Sequence, residues 1–246
     1  MRRRLGRAHA RSTAQPLASS YRATDGISPA QFASAFASIG IDRDYSRIDL
    51  TDLEVDVRGW GSDEPIFERV LTEARPGVVF ELGTWKGASL LHMRGITLAL
   101  GLHTQFVCVD TWLGSAHVWI NPKYRPELAL EDGYPTLYRQ FVRNLIAADA
   151  VTDVFPLPMT TAAAADVLAH LGVVADVVYV DAGHHEAEVR ADLQNYFVLL
   201  RPGGIMFGDD YHPSVPGVVR AVDWFAGSEG ILLELEAKKW LVRRPT

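Results

Sequence analysis

The chain has 246 residues, 48% of them hydrophobic and 22% charged, with a formal net charge of −6 and a single cysteine. That balance predicts a globular body large enough for a substantial core, and the lone thiol excludes an intrachain disulfide and suits a reducing, cytoplasmic setting. No apolar stretch reaches the roughly 18 residues of a membrane span, and an acidic body argues against nucleic acid as a partner.

Residues 1–22 hold six Arg and no acid, the first acid being Asp25. Residues 1–25 are therefore expected to form a basic, disordered extension, and they lack the apolar core of a secretory signal. Residues 26–76 are expected to form a helical cap region. Ser28-Pro29 reads as an N-cap followed by proline at the first helical position. Phe32, Phe36 and Ile39 then recur at helical spacing. Residues 41–63 are mixed and polar, with a turn at Gly59-Trp60-Gly61. A second helix over 64–74 carries Ile66, Phe67, Val70 and Leu71.

From residue 77 to the end, strands and helices alternate. Apolar runs lie at 77–82, 105–109, 151–157, 177–180 and 204–207. Helical periodicity fills 87–101, 136–148, 161–171, 186–200 and 215–226. Such alternation implies parallel strands joined by crossover helices. Ile231–Leu235 and Trp240–Val242 are too close for an intervening helix and predict an antiparallel hairpin at one edge. The connection 111–134 is too long for an ordinary loop. It carries Trp112, Trp119, Tyr124 and Tyr134, whereas disordered linkers are poor in aromatics. It is expected to fold, as a lid over a site or as an added packing element.

Two sets of residues carry chemistry. The first is Phe80-Glu81-Leu82-Gly83-Thr84-Trp85-Lys86-Gly87-Ala88-Ser89, which leaves the first strand and opens a helix. Gly83 permits a tight turn and close approach of a ligand to the backbone, and the helix N-terminus favours a polar or anionic group. Asp110 ends the second strand, where an acid suits two ribose hydroxyls. The dinucleotide pattern Gly-x-Gly-x-x-Gly is absent, because Trp85 stands at the second glycine. The second set sits at two later strand ends, Asp181-Ala-Gly-His184-His185 and Asp209-Asp210-Tyr-His212. On neighbouring parallel strands, Asp181, Asp209 and Asp210 would converge. Three carboxylates select Mg²⁺, Ca²⁺ or Mn²⁺. No pair of histidines at helical spacing and no thiolate favours zinc. The alternative is that Asp209 and Asp210 only cap the following turn.

With these motifs the chain resembles the class I S-adenosylmethionine-dependent methyltransferases over about residues 58–243. Glu81-Leu-Gly83-x-x-x-Gly87 is similar to their first motif and Asp110 to their ribose-binding acid. A narrower likeness is to the metal-dependent macrolide-sugar O-methyltransferases and the cephalosporin-biosynthesis group. It rests on Asp110-Thr-Trp-Leu-Gly114, Asp181-Ala-Gly-His-His185, Leu200-Arg-Pro-Gly-Gly204 and Asp209-Asp210-Tyr-His212.

The resemblance implies a Rossmann-like α/β fold with a mostly parallel seven-stranded sheet in the order 3-2-1-4-5-7-6 and a C-terminal antiparallel hairpin. It implies that Glu81, Gly83, Thr84, Gly87 and Ser89 hold the amino-acid end of S-adenosylmethionine. Asp110 would take the ribose, Thr111 and Trp112 the adenine face, and Thr160 or Thr161 its edge. Trp60 or Trp85 would face the sulfonium. Asp181 would border both the cofactor and a Mg²⁺ ion held with Asp209 and Asp210. His212 is the expected base and Asp181 its rival, with His184 and His185 holding the strand end. The expected acceptor is a small-molecule hydroxyl, a vicinal diol of sugar or catechol type from natural-product chemistry. A metal-independent methyltransferase and a cofactor-binding scaffold without turnover are the alternatives. A homo-oligomer is compatible with the helix at 28–39, which would equally serve to cover the sheet.

Overall fold

The computed structural model describes residues 28–246; the Arg-rich extension expected at 1–25 lies outside them. Helix α1 (Pro29–Ala37) opens with a capping box in which the Ser28 hydroxyl accepts from the Gln31 amide and the Gln31 side chain reaches back to the Ser28 amide. Helix α2 (Pro65–Ala74) follows a long irregular stretch. The alternating part then runs β1 (Val78–Leu82), α3 (Ala88–Ala99) and β2 (Gln105–Asp110). The long connection folds into α4 (Ala116–Ile120), a 3-10 turn (Arg125–Leu128) and a small hairpin of β3 (Leu130–Glu131) with β4 (Tyr134–Pro135). Helix α5 (Leu137–Ala147), β5 (Val154–Pro158), α6 (Thr161–Leu171), β6 (Ala175–Val180), α7 (Glu186–Phe197), β7 (Leu200–Gly208) and α8 (Pro216–Glu229) complete the alternation. Strands β8 (Glu234–Glu236) and β9 (Lys239–Arg243) close the chain.

The seven-stranded sheet has the order β5-β2-β1-β6-β7-β9-β8. The first five strands are parallel, while β9 runs antiparallel to β7 and β8 antiparallel to β9. This is the order that the resemblance implies. The hairpin's first strand starts at Glu234, later than the apolar run from Ile231 suggested. Strands β5, β2, β1 and β6 are buried almost without interruption, and β7 is buried from Gly204 onward, as expected when helices cover both faces.

One layer packs Phe32, Phe36, Leu168, Leu193, Tyr196 and Phe225 from α1, α6, α7 and α8 against the sheet. The other packs Phe67, Leu71, Met93 and Phe141 from α2, α3 and α5. Phe32 and Phe36 meet Phe155 of β5 at 4.9 and 4.7 Å between ring centroids, so α1 covers the sheet at that edge. The connection 111–134 is folded: Trp112, Val118 and Leu128 are buried, while Ile120 and Tyr134 face solvent. Among the described residues, no helix is long and apolar enough to cross a membrane.

Candidate active site

In open α/β sheets, ligands sit outside the carboxyl ends of strands where the connections switch direction. Here that point is β1, flanked by β2 and β6. Gly83 leaves β1 with φ +82°, and a Cβ at this position would collide with the Asp181 carbonyl oxygen. The glycine turn and the end of β6 are therefore in backbone contact, which only glycine allows. Gly87 (φ +91°) starts α3 with no side chain capping its amides, so donors in the first turn are left for another partner.

Beneath the turn, Glu81 is fully buried. Ser89 donates to it at 2.5 Å and the Cys108 thiol lies 3.8 Å away. The Thr84 hydroxyl, also buried, lies beside Glu81 and has no well-formed hydrogen bond. Burial pushes the Glu81 carboxyl up to about 8, against the pull of the Ser89 and Thr84 hydroxyls. A carboxyl raised in this way is more protonated in the folded chain than in the unfolded one. Its contribution to stability is complete below its ordinary value of 4.5 and is lost as pH rises through about 8. Melting temperatures should therefore fall less over that range in Glu81→Gln than in the wild type; parallel curves would show that Glu81 ionises normally.

Asp110 ends β2 with both oxygens turned to the backbone: Oδ2 accepts from the Trp85 amide at 2.8 Å and Oδ1 from the Trp112 amide at 2.7 Å. Burial raises its pKa and these amides pull it back. Trp85 and Trp112 both hold positive φ, +51° and +52°, so this carboxylate braces two strained turns. Thr111 accepts from the Leu113 amide at 3.2 Å. Trp112 does not present an open wall: its indole is buried, donates to the Trp85 carbonyl at 2.8 Å and packs on Tyr138 and Phe141. Thr160 caps α6 just past the end of β5 and is exposed. Trp60 is 59% exposed and lies 6.0 Å from Trp85 and 5.9 Å from Tyr124, which joins the irregular stretch, the glycine turn and the long connection in one aromatic group.

The acidic strand ends do meet, but not as a set of three aspartates. Asp181, His184 and Asp210 present ligand atoms within 4.8 Å of one another. His184 Nε2 lies 2.8 Å from Asp210 Oδ2. That contact raises the His184 pKa and lowers that of Asp210. Burial, and next the Asp209 charge, push Asp181 up to about 7.

Asp209 is not in the cluster. Its Oδ2 is 2.5 Å from Nζ of Lys239, a lysine with no exposure at all, and its Oδ1 accepts from the Asp210 amide at 2.6 Å. Asp210 then turns the chain at φ +61° and points its own carboxylate the other way. Lys239 also reaches the Tyr179 hydroxyl at 3.2 Å, and that hydroxyl donates to Asp181 at 3.1 Å. Sequence reasoning missed Lys239 and Tyr179; neither lies in a motif, and their only signal is a polar atom inside an apolar strand. His212 is also outside the cluster, exposed, with Nδ1 2.7 Å from the Ser214 hydroxyl.

A sequence model described as a methyltransferase domain matches residues 80–211, more than half of the chain. The chain belongs to the methyltransferase-domain family. The match runs from the glycine turn through the acidic end of β7, so it spans both halves of the site. Among solved structures, the O-methyltransferase NovP is similar at 18% identity, with 88% of this chain and 97% of that one covered and a TM-score of 0.56. A putative caffeoyl-CoA O-methyltransferase from Staphylococcus aureus is similar at 14% identity over 89% and 93% of the two chains, TM-score 0.56. TomG from Streptomyces achromogenes, an O-methyltransferase of tomaymycin synthesis solved in complex with SAM, is similar at 16% identity over 89% and 96%, TM-score 0.50. A comparison with curated proteins finds no match. At these identities the likeness is one of fold.

Proposed function

We propose that the protein is an S-adenosylmethionine-dependent O-methyltransferase that acts on a small-molecule hydroxyl beside a divalent cation. The observation that carries this reading is the backbone contact between Gly83 and Asp181, which sets the glycine turn directly against the Asp181–His184–Asp210 cluster. The residues of the turn fit the cofactor. The unpartnered Thr84 hydroxyl and the uncapped start of α3 supply donors for a carboxylate, and Glu81 supplies an acceptor for an ammonium. Asp110 retains lone pairs for ribose hydroxyls, since each of its oxygens takes one amide. SAM in the TomG complex and SAH in an O-methyltransferase of Bacillus cereus support the same choice.

The donor set at the second half fits a cation. Two carboxylates, those of Asp181 and Asp210, favour Mg²⁺ or Mn²⁺. S-adenosylmethionine supplies an electrophilic methyl group, and a divalent cation lowers the pKa of a hydroxyl beside it. Asp181 and Asp210 hold the cation, and Tyr179 keeps the Asp181 carboxylate turned toward the cluster. His184 accepts the hydroxyl proton at its imidazole, with Asp210 fixing the ring. Trp60 and Tyr124 pack edge to face beside Trp85 of the glycine turn, where an acceptor could meet aromatic surface. A vicinal diol, which offers two oxygens to one cation, is the acceptor class that suits this arrangement, and the aromatic cover suits an acceptor with an apolar body.

Calorimetry with S-adenosylhomocysteine tests the division of the site. Wild type should bind it, and Asp110→Ala should bind roughly 10- to 100-fold more weakly, the worth of charge-assisted hydrogen bonds of about 1.5–3 kcal/mol. Asp210→Ala should keep that affinity and lose Mn²⁺ binding. No binding by wild type would remove the S-adenosylmethionine reading, and equal loss in both variants would merge the two half-sites.

A further inference from the structure

Lys86 stands between the two glycines of the turn, at a position where a cofactor-binding turn has no evident need of a cation. Its side chain is 5% exposed. A buried ammonium is costly unless it is paired and hydrogen-bonded. Lys86 is paired twice: Nζ lies 2.7 Å from Asp56 Oδ2 and 2.5 Å from Glu127 Oε2. The two carboxylates come from different covering segments, Asp56 from the irregular stretch before α2 and Glu127 from the 3-10 turn of the 111–134 connection. Neither segment has extensive regular structure of its own to hold it in place.

The neighbours of Lys86 reinforce this joint. Asn144 of α5 donates to the Lys86 carbonyl at 2.8 Å and to the Asp56 carbonyl at 2.7 Å, and its own side-chain oxygen accepts from the Asp56 amide at 3.0 Å. Trp85 meets Trp60 of the first segment, and Trp60 meets Tyr124 of the second. A Cβ on Gly59 would lie 2.7 Å from that of Ala88, the first residue of α3, so the first segment is pressed onto the turn. Arg58 also bridges Asp56 and Glu127, but its side chain is 73% exposed, and an exposed pair counts for little. The buried cation is the member that decides.

We infer that Lys86 is a positioning residue that pins both covering segments to the glycine turn, so that a ligand which orders the turn also orders the cover over the acceptor side. The first half stands on the ion pairs alone. The second rests on the reading of the turn as the cofactor site.

Hydrogen exchange on the full chain reads both halves. The reporters are the amides of Glu127 and Ala129, bonded within the 3-10 turn, and that of Asp56, bonded to Asn144. Without ligand, Glu127→Gln should speed exchange in the 3-10 turn about tenfold or more while the amides of β1 and β6 keep their wild-type rates. Lys86→Met should speed exchange in both segments. S-adenosylhomocysteine should slow exchange at Glu127, Ala129 and Asp56 in the wild type. In Lys86→Met it should still bind yet leave all three unprotected, which a merely structural lysine would not produce. Wild-type rates in both variants without ligand would overturn the pin. Protection of the 3-10 turn that persists in Lys86→Met would overturn the coupling. If wild type binds no S-adenosylhomocysteine, the cofactor reading and the coupling fail together, while the exchange rates without ligand still decide the pin. Should Lys86→Met not fold, Glu127→Gln and Asp56→Asn, each loosening one segment, carry the same comparison.

Discussion

His184→Ala should lower kcat by roughly 10²- to 10⁴-fold, the usual worth of a general base, while His212→Ala stays within about threefold of wild type on the same scale. The geometry separates the two imidazoles. His184 sits in the cluster with Asp181 and Asp210, and its Nε2 is fixed by Asp210 at 2.8 Å. His212 follows Asp210 by two residues but is turned outward to Ser214. Methyl transfer from labelled S-adenosylmethionine, to whichever diol a screen of sugars and catechols supports, gives the rates. Added imidazole should restore part of the rate in His184→Ala, since the missing group is a proton acceptor and the cavity left is open to solvent. Mn²⁺ affinity is the control: a large fall in His184→Ala would make the imidazole a ligand. An equal rate loss in His212→Ala would return the base to the end of β7.

The contrast between these two histidines shows what a sequence can carry. The strands and crossover helices were legible because buried parallel strands need unbroken apolar runs and helices need one apolar face. The glycine turn was legible because only glycine fits at Gly83 against the Asp181 carbonyl. Both are local demands, visible in a few consecutive residues. The direction of the side chains after β7 is not local. A positive φ at Asp210 reverses the chain, so adjacent acids aim apart and the nearest histidine in sequence is not the nearest in space. The partner of Asp209 lies thirty positions on, across the β7–β9 pairing, with no pattern to announce it. The resemblance implies a ligand wall at Trp112, but its strained backbone turns the ring inward onto Phe141. Within 111–134 the elements are a five-residue helix and two-residue strands, too short for periodicity to show.

Lys239→Met should cost about 3–5 kcal/mol of stability, the usual consequence of removing one partner from a buried ion pair. Lys239 is wholly buried and Asp209 nearly so. Without the ammonium, the Asp209 carboxylate would face Asp181 with no counter-charge, and the Tyr179 hydroxyl would lose its second partner. The pair itself need not be worth much, because bringing both charges out of water offsets most of their attraction. The double variant Lys239→Met/Asp209→Asn should therefore recover most of the loss, and urea denaturation of the four proteins completes the cycle. A single variant within about 1 kcal/mol of wild type would mean that water reaches Asp209 and the pair is of the weak, solvated kind. The same cycle reads the proposed cation site. In wild type Lys239 occupies Asp209 and leaves the carboxylates of Asp181 and Asp210 to the proposed cation. Its removal frees a third carboxylate beside Asp181. Mg²⁺ should then raise the stability of Lys239→Met more than that of wild type, because at a given concentration a ligand stabilises the folded chain more the more tightly it binds. The double variant should respond no more than wild type. An equal response in all of them would place the cation out of reach of Asp209, and the lysine would be a structural counter-charge alone.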